Sequence, residues 1–523
     1  MLAAPTLPEL LRTAAREAPD AEAFRYRGER LSYQDWDALA DRMAAGMAAR
    51  GVGRRDVVAL LLPSTPLYLV AYAGAARLGA ITTGINVRYR RSEIGHILRR
   101  SGARLLLAVD AWHDADFRAV IDGLDGPRPD VAWFTADRLR ESSATAVADF
   151  AGEAPVPPPV DVAPDDPAAI VFTSGTTGVP KGAWYTHRGL TAVAEIDTRR
   201  HPGGVAPFGK HLAAGLSFAH VGTMIRIALQ ISHLTTSIVH DTFSPEAVLA
   251  EVERERLTHL GAIPTQMIML LDHPDRPHRD LSSLRSVLLG GAPSSPALIR
   301  RVAETLGVSV SVRYSSTEVG IATAWLTDDP PEILATTVGK ATPGVELRIV
   351  DEANGPVAAG TVGEVVVRSP ATMRGYWDDP DATAAVLDAD GWVHTGDLGF
   401  LDDAGYLHLK GRQSEMFIRG GYNVYPAEVE DLLARHPKVA RAAVVGVPEP
   451  RLGEVGWAFI VPRDPADPPT LAELRAFVGG ELASFKRPDG LTLLRDLPVT
   501  PMYKVDRRAL RALEEPASLE ANP

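Results

Sequence analysis

The stretch Thr173-Ser174-Gly175-Thr176-Thr177-Gly178-Val179-Pro180-Lys181-Gly182 is nearly all glycine, hydroxyl-bearing residues or a single lysine, and it follows the apolar run Ala168-Ala169-Ile170-Val171-Phe172. The apolar run reads as a buried strand, so the glycines fall where the backbone must turn sharply and can approach an anion closely. The hydroxyls of Thr173, Ser174, Thr176 and Thr177, with the loop amides, can face outward beside the point charge of Lys181. That combination suits a polyphosphate. The spacing matches neither the G-x-x-x-x-G-K-S/T nucleotide loop nor the G-x-G-x-x-G dinucleotide turn, which disfavours a P-loop kinase and a dehydrogenase. A solvated Ser/Thr/Gly loop explains the composition but not a Pro-Lys-Gly ending directly behind a core strand.

The rest of the chain reads as an α/β scaffold. Tyr33 to Arg50 has helical periodicity, Val57 to Leu62 is an apolar strand, Leu67 to Leu78 a helix and Arg104 to Val109 another buried strand. This alternation predicts mostly parallel sheets covered by helices. Pro245 to Glu255 is a further helix, and the strand Ser286 to Leu289 ends at Gly290-Gly291-Ala292-Pro293. Tyr314 follows the strand pattern Val308 to Val312. The phosphate loop, the glycine turn and Tyr314 therefore all lie past strand ends, where ligand sites of open α/β sheets are found. From Gly344 to Leu409 short alternating strands with turns at Asn354-Gly355 and Asp390-Gly391 predict a β-rich subdomain. A boundary near Gly411-Arg412 divides the chain into an N-terminal domain, 1–411, and a small α+β C-terminal domain, 412–523. In that second part the pattern places helices at Pro426 to Arg435 and Leu471 to Glu481 and strands at Val439 to Val447 and Trp457 to Val461. Glu514 to Pro523 is polar and expected to be disordered.

Composition narrows the function classes. A length of 523 residues exceeds what one core usually spans. No cysteine is present, so disulfides, thiolate metal sites and a cysteine nucleophile are excluded, and any thioester must use an external thiol. The formal net charge of -12 argues against nonspecific nucleic-acid binding. No segment approaches the roughly 18 unbroken apolar residues of a membrane span, and Met1-Leu2-Ala3-Ala4-Pro5 lacks the basic start of a secretory signal, which points to the cytoplasm. The oligomeric state stays open, a homodimer included.

The phosphate loop resembles the signature of the adenylate-forming superfamily of acyl-CoA synthetases, peptide-synthetase adenylation domains and luciferases. Further blocks follow in that family's order. Tyr314-Ser315-Ser316-Thr317-Glu318 resembles its Y-G-x-T-E segment, Thr395-Gly396-Asp397 its T-G-D, and Gly411-Arg412 the G-R that opens its C-terminal domain. Gly420 to Glu430 and Leu497 to Lys504 resemble its last two blocks. The resemblance implies ATP, Mg²⁺ and coenzyme A as cosubstrates and cofactor. It implies that a hydrophobic carboxylic acid becomes an acyl-adenylate with release of pyrophosphate, and that the acyl group then passes to coenzyme A.

The same resemblance assigns roles. Lys181 and the loop hydroxyls would grip the β- and γ-phosphates, and Glu318 would hold Mg²⁺, a hard cation that prefers oxygen. Tyr314 would stack on adenine beside Ser315 and Ser316, Thr317 contact phosphate, Asp397 accept the ribose hydroxyls, and Arg412 contact ribose or phosphate. Lys504 would bridge the acid and the α-phosphate, where its cation stabilises charge growing in the transition state. Without its motif, Lys504 would be one more solvated lysine in a basic tail. His220, in Ser217-Phe218-Ala219-His220-Val221-Gly222, resembles the family's histidine near the acid carboxylate, although a structural histidine fits there as well. Rotation of the C-terminal domain would pivot near Gln413 and Ser414, and Gly420, Gly421 and Tyr422 would meet the pantetheine of coenzyme A, although Gly-Gly is also an ordinary hairpin turn.

Three positions depart from the family pattern: Ser315 and Tyr503 stand where glycine is common, and Ser414 where aspartate or lysine is usual. Tyr503 cannot readily adopt a positive φ, so the loop carrying Lys504 is expected to close with its own geometry. The expected acid pocket, from His220 to Ile225, Gln266 to Leu270, Gly290 to Ala292 and Ser315 to Ala322, holds no basic residue besides His220, with Arg226 just beyond it. That favours a fatty or aryl monocarboxylate. The alternative is an adenylating enzyme of a biosynthetic pathway that serves another nucleophile, such as a carrier-protein thiol, an amine or a small inorganic anion. A catalytically silent nucleotide-binding protein is disfavoured by intact Lys181, Glu318, Asp397 and Lys504.

Overall fold

The computed structural model describes residues 3–173, 180–199, 209–213, 217–291, 294–325, 333, 336–500 and 504–513. Ser174, Gly175, Thr176, Thr177, Gly178, Ala292, Pro293, Tyr503 and the tail from Glu514 onward lie outside the described residues.

Every residue of Val57–Leu61 is buried, as a strand covered on both faces must be, and it lies centrally in a six-stranded sheet. Its parallel neighbours are Ile81–Gly84 and Leu105–Val109, flanked by Pro167–Phe172 and Asp130–Phe134, and the antiparallel Gly182–Thr186 closes one edge. The segment expected to bind phosphate therefore connects two adjacent antiparallel strands, with Gly182 opposite Phe172. Helix Tyr33–Ala48 starts on a capping box between Ser32 and Asp35, and helix Pro66–Arg77, buried almost all round, is sandwiched in the interior.

A nine-stranded sheet forms the second layer. Ser309–Ser316, Ser286–Leu289, His259–Ala262, Lys210–Ala213, Thr236–Ile238 and Glu22–Tyr26 run parallel in that order, with antiparallel strands at both edges. One apolar core joins the two sheets and the β-rich part, from Phe24 and Val58 through Ile170 and Val221 to Val365 and Leu407. A second core fills the outer face of the nine-stranded sheet. Four antiparallel strands, Glu346–Val350, Gly363–Arg368, Val393–Leu401 and Leu407–Arg412, make the β-rich part. The last cores draw only on residues between Phe417 and Leu510, around the paired strands Val439–Glu449 and Gly453–Pro462.

The strand expected to stop at Val312 continues to Ser316 and contains Tyr314. Its polar end is held by a tertiary pairing, Arg313 with Ala324 and Tyr314 with Thr323. The expected strand Trp457 to Val461 is likewise longer, because it pairs along nearly its whole length with Val439–Glu449. Among the described residues, no helix is long and apolar enough to cross a membrane.

Candidate active site

Adjacent strands place Asp397 opposite Arg412. The residue just before Asp397 is Gly396, whose φ of +68° suits a residue without a side chain. The Thr395 hydroxyl donates to the Val365 carbonyl (2.6 Å) and accepts the Asp397 N–H (3.1 Å), and the Gly396 N–H donates to Glu364 Oε1 (2.9 Å). The Asp397 side chain is thereby fixed. One of its oxygens accepts the Tyr314 hydroxyl at 2.6 Å and the other faces Arg412 Nε at 3.1 Å. Burial raises the Asp397 pKa, while Arg412 and the Tyr314 hydroxyl act against that rise. The outcome is a buried acceptor held between two donors, with lone pairs left over for further hydroxyls.

A second carboxylate lies just past the same strand as Tyr314. Glu318 accepts the Ser316 hydroxyl at 3.0 Å on one oxygen and the Tyr376 hydroxyl at 2.9 Å on the other. The Lys181 ammonium stands over the Tyr376 ring, 5.2 Å from its centroid, so the lysine of the phosphate loop and Glu318 share one aromatic neighbour. Thr173 and Lys181 tie the ends of the loop together, the Thr173 N–H donating to the Lys181 carbonyl at 2.9 Å and the Lys181 N–H to Thr173 Oγ1 at 3.4 Å. Tyr185 donates its hydroxyl to the Thr317 carbonyl. Among the described residues no cluster of three histidine or acidic side chains could hold a metal by itself. A single carboxylate with phosphate oxygens and water is, however, how Mg²⁺ is commonly held, and Glu318 fits that donor set.

Lys504 enters from the C-terminal part. Its backbone is clamped to Thr500, whose N–H donates to the Lys504 carbonyl at 2.7 Å and whose hydroxyl accepts the Lys504 N–H at 3.3 Å. Three residues on, Arg507 holds Glu430 with two bonds of 2.6 and 2.9 Å and Glu415 at 3.1 Å. Burial and then the Arg412 charge lower the Lys504 pKa, and Asp397, Glu318 and Glu415 oppose them. His220 caps the helix Val221–His233, its Nδ1 accepting the Gly222 N–H at 3.1 Å. The main chain just before it lies against the strand Ile81–Gly84, where a Cβ on Gly84 would stand 2.6 Å from Ala219 Cα. Burial first, and the Lys504 ammonium second, push the His220 pKa down to about 3, so its ring is neutral. Lys504, Arg412, Asp397, Glu318 and His220 thus act on one another within a single cluster.

Other expected residues lie elsewhere. Gly420 and Gly421, with φ of +58° and +86°, form the two-residue turn of a hairpin between Phe417–Arg419 and Tyr422–Val424. The Gly420 N–H donates to the Leu452 carbonyl at 2.8 Å, and the exposed Tyr422 ring stacks on Phe485 at 4.6 Å. Both partners belong to the C-terminal part. Gln413 and Ser414 are exposed, and the Gln413 N–H donates to the Gly396 carbonyl at 2.9 Å. Gly291 has a φ of +79° at the end of its strand. Sequence reasoning missed Tyr376, Tyr185, Thr395, Glu415 and Arg507. Thr395 stands inside the Thr395-Gly396-Asp397 motif but was given no role, and Arg507 lies three residues past Lys504, whereas Tyr376 sits in an irregular segment whose Arg-Gly-Tyr-Trp run carries no periodic signal.

The profile of the AMP-binding enzyme family matches residues 11–377, and that of the AMP-binding enzyme C-terminal domain matches residues 428–504. A (7a-methyl-1,5-dioxo-octahydro-1H-inden-4-yl)propanoyl:CoA ligase of Rhodococcus jostii (strain RHA1) is 36% identical, over 97% of this chain and 98% of its own. Feruloyl-CoA synthase of an Amycolatopsis species is 35% identical over 95% and 96% of the two chains. The crystal structure of ATP-bound MatB from Rhodopseudomonas palustris superposes with a TM-score of 0.86 at 28% identity, covering 97% of this chain and 98% of that one. The chain therefore belongs to the AMP-binding, adenylate-forming enzymes, and it is an AMP-forming acid–CoA ligase that uses ATP, Mg²⁺ and coenzyme A.

Proposed function

We propose that this ligase activates a hydrophobic, ring-bearing monocarboxylate in the cytoplasm, and that the cluster around Lys504 is where it does so. The observation that carries this reading is the meeting of Lys504, from the C-terminal part, with His220, Glu318 and Asp397, which three separate segments of the N-terminal part supply. Similarity to ligases named for a bicyclic propanoate and for ferulate supports a ring in the acid.

In the first step a carboxylate oxygen of the acid attacks the α-phosphorus of ATP, the P–O bond to pyrophosphate breaks, and an acyl-adenylate forms. Lys504 lies between the acid and the α-phosphate and offsets negative charge as it grows there. Asp397, fixed by Tyr314 and Arg412, accepts the ribose hydroxyls, while Lys181, Thr173, Ser174, Thr176, Thr177 and Thr317 hold the polyphosphate. Tyr314, Ser315, Ser316, Gly291, Ala292 and Pro293 border the adenine. Glu318 would hold Mg²⁺, which would supply charge neutralisation for the departing pyrophosphate. Neutral His220 positions the acid without competing for its negative charge.

In the second step the thiolate of coenzyme A attacks the acyl carbon and AMP leaves. Residues 412–523 act as a unit that turns about Gln413 and Ser414, withdraws Lys504 and brings Gly420, Gly421 and Tyr422 toward the pantetheine arm. The separate cores of that unit support such a motion. The test is AMP formation across fatty, aryl and alicyclic acids with ATP and Mg²⁺, with and without coenzyme A, followed by mass spectrometry of the product. A ring-bearing acyl-CoA is the expected product. A free amino acid as the best activator, or AMP without any thioester, would contradict the assignment.

A further inference from the structure

Lys181 leads directly into the edge strand Gly182–Thr186, and residues 374–377 lie along the free side of that strand. The Trp377 N–H donates to the Gly182 carbonyl at 2.7 Å, the Trp184 N–H to the Gly375 carbonyl at 3.0 Å and the Arg374 N–H to the Trp184 carbonyl at 2.9 Å. Ala183 stands opposite Tyr376 in this antiparallel pairing. Just upstream, the same stretch of chain meets the turn that bears Glu318. The Met373 N–H donates to the Glu318 carbonyl at 2.9 Å, and a Cβ on Gly320 would stand 2.9 Å from the Ala371 carbonyl oxygen. Main-chain contacts thus fix residues 371–377 to the strand behind Lys181 and to the Glu318 turn, and the Tyr376 side chain reaches both.

The two parts of this side chain do different things. Its hydroxyl donates to Glu318 Oε1 at 2.9 Å, a charge-assisted bond that complements the Ser316 hydroxyl on Oε2 at 3.0 Å. Its ring carries the Lys181 ammonium 5.2 Å from the centroid, within the range of a cation–π attraction. Tyr376 is itself buried, and its N–H donates to Thr383 Oγ1 at 2.8 Å. A phenylalanine at this position keeps the contact with Lys181 and loses the one with Glu318, whereas a leucine loses both.

We propose that Tyr376 is a positioning residue that joins the two halves of the Mg²⁺–polyphosphate site, its hydroxyl orienting the Glu318 carboxylate for Mg²⁺ and its ring holding the Lys181 ammonium for the β- and γ-phosphates. The inference rests on the assignment of Glu318 to Mg²⁺ and of Lys181 to the phosphates, and adds to it a side chain that acts through both.

The test is calorimetric binding of ATP to the full-length enzyme in the absence of acid, once with a chelator and once with excess Mg²⁺. The readout is the factor by which Mg²⁺ tightens binding, in which a loss of folded protein cancels. Tyr376→Phe is expected to lower that factor by about tenfold, the size of a lost hydrogen bond to a charged group, while binding in chelator stays within about twofold of the unaltered enzyme. Tyr376→Leu should lower the factor equally and also weaken binding in chelator by about threefold, since Lys181 loses its ring. In a Glu318→Gln background Tyr376→Phe should change the factor no further, because the hydroxyl acts only through that carboxylate. A factor that Tyr376→Phe leaves unchanged, or lowers just as much in the Glu318→Gln background, overturns the proposal while the assignment of Glu318 stands. Equal binding of Tyr376→Phe and Tyr376→Leu in chelator overturns the part given to the ring. A factor that Glu318→Gln itself leaves unchanged would instead remove Glu318 from the metal site, and the proposal with it.

Discussion

Asp397 is held by two donors on separate oxygens, the Tyr314 hydroxyl and Arg412 Nε, in a place where burial alone would favour its neutral form. Asp397→Asn removes the charge that balances Arg412 and turns one of the two acceptor oxygens into a donor, so Tyr314 and Arg412 no longer each have their own acceptor. The expected cost is roughly 1–3 kcal/mol of stability together with a raised KM for ATP, read from melting curves and from ATP titration of pyrophosphate exchange. Unchanged values for both would remove Asp397 from the nucleotide site. A second residue-scale prediction concerns acid. His187 is fully buried with neither ring nitrogen partnered, and burial pushes its pKa down to about 4, while His220 and His211 are pushed to about 3, all from an ordinary 6.5. Between these values and 6.5 the unfolded chain binds more protons than the folded one, so stability is present above pH 6.5 and is lost as the pH falls through that window. His187→Phe should be nearly neutral at pH 7 and should lessen the loss at pH 5 in denaturant melts; an unchanged loss contradicts it. Of these residues Asp397 and Lys504 were legible because each stands in an ordered motif. His187, His211 and Tyr376 were not, because an isolated histidine or tyrosine gives no sign of what tertiary packing will set beside it.

The hairpin of Phe417–Arg419 and Tyr422–Val424 turns on two glycines in left-handed conformations, and it carries the exposed Tyr422. Gly421→Val forces a β-branched residue to a φ of +86°, a strain of roughly 1–3 kcal/mol. The expected result is a slower thioester step with ATP–pyrophosphate exchange retained. Equal loss in both half-reactions would take the turn out of coenzyme A binding. Elements were readable where local chemistry decides them. Val57–Leu61 is apolar at every position, and the helix Pro245–Glu255 announces itself by the cap Ser244 and a proline at its start. The extension of Ser309–Ser316 through Arg313, Ser315 and Ser316 was not readable, since those polar residues form a strand only by pairing with Gly320–Ala324.

At the scale of the whole molecule, the strand order of the large sheet does not follow the chain, and its strand Ser309–Ser316 meets the four-stranded sheet where the Tyr314 hydroxyl donates to Asp397. The motifs named the members of this site in order, but their convergence depended on a topology that no local pattern encodes. Lys504 joins them from a unit whose cores lie wholly between Phe417 and Leu510, with Arg507 bonded to Glu415 just beyond the proposed pivot at Gln413 and Ser414. A lysine delivered by a separate unit can serve one half-reaction and be absent from the next. The central claim is that division of labour, and Lys504→Ala tests it in single-turnover measurements of each half-reaction. The account predicts that adenylation from acid and ATP falls by about 10²–10³-fold or more, while acyl-CoA formation from supplied acyl-adenylate stays close to that of the unaltered enzyme. Equal loss in the two half-reactions, or adenylation that survives the substitution, would contradict it.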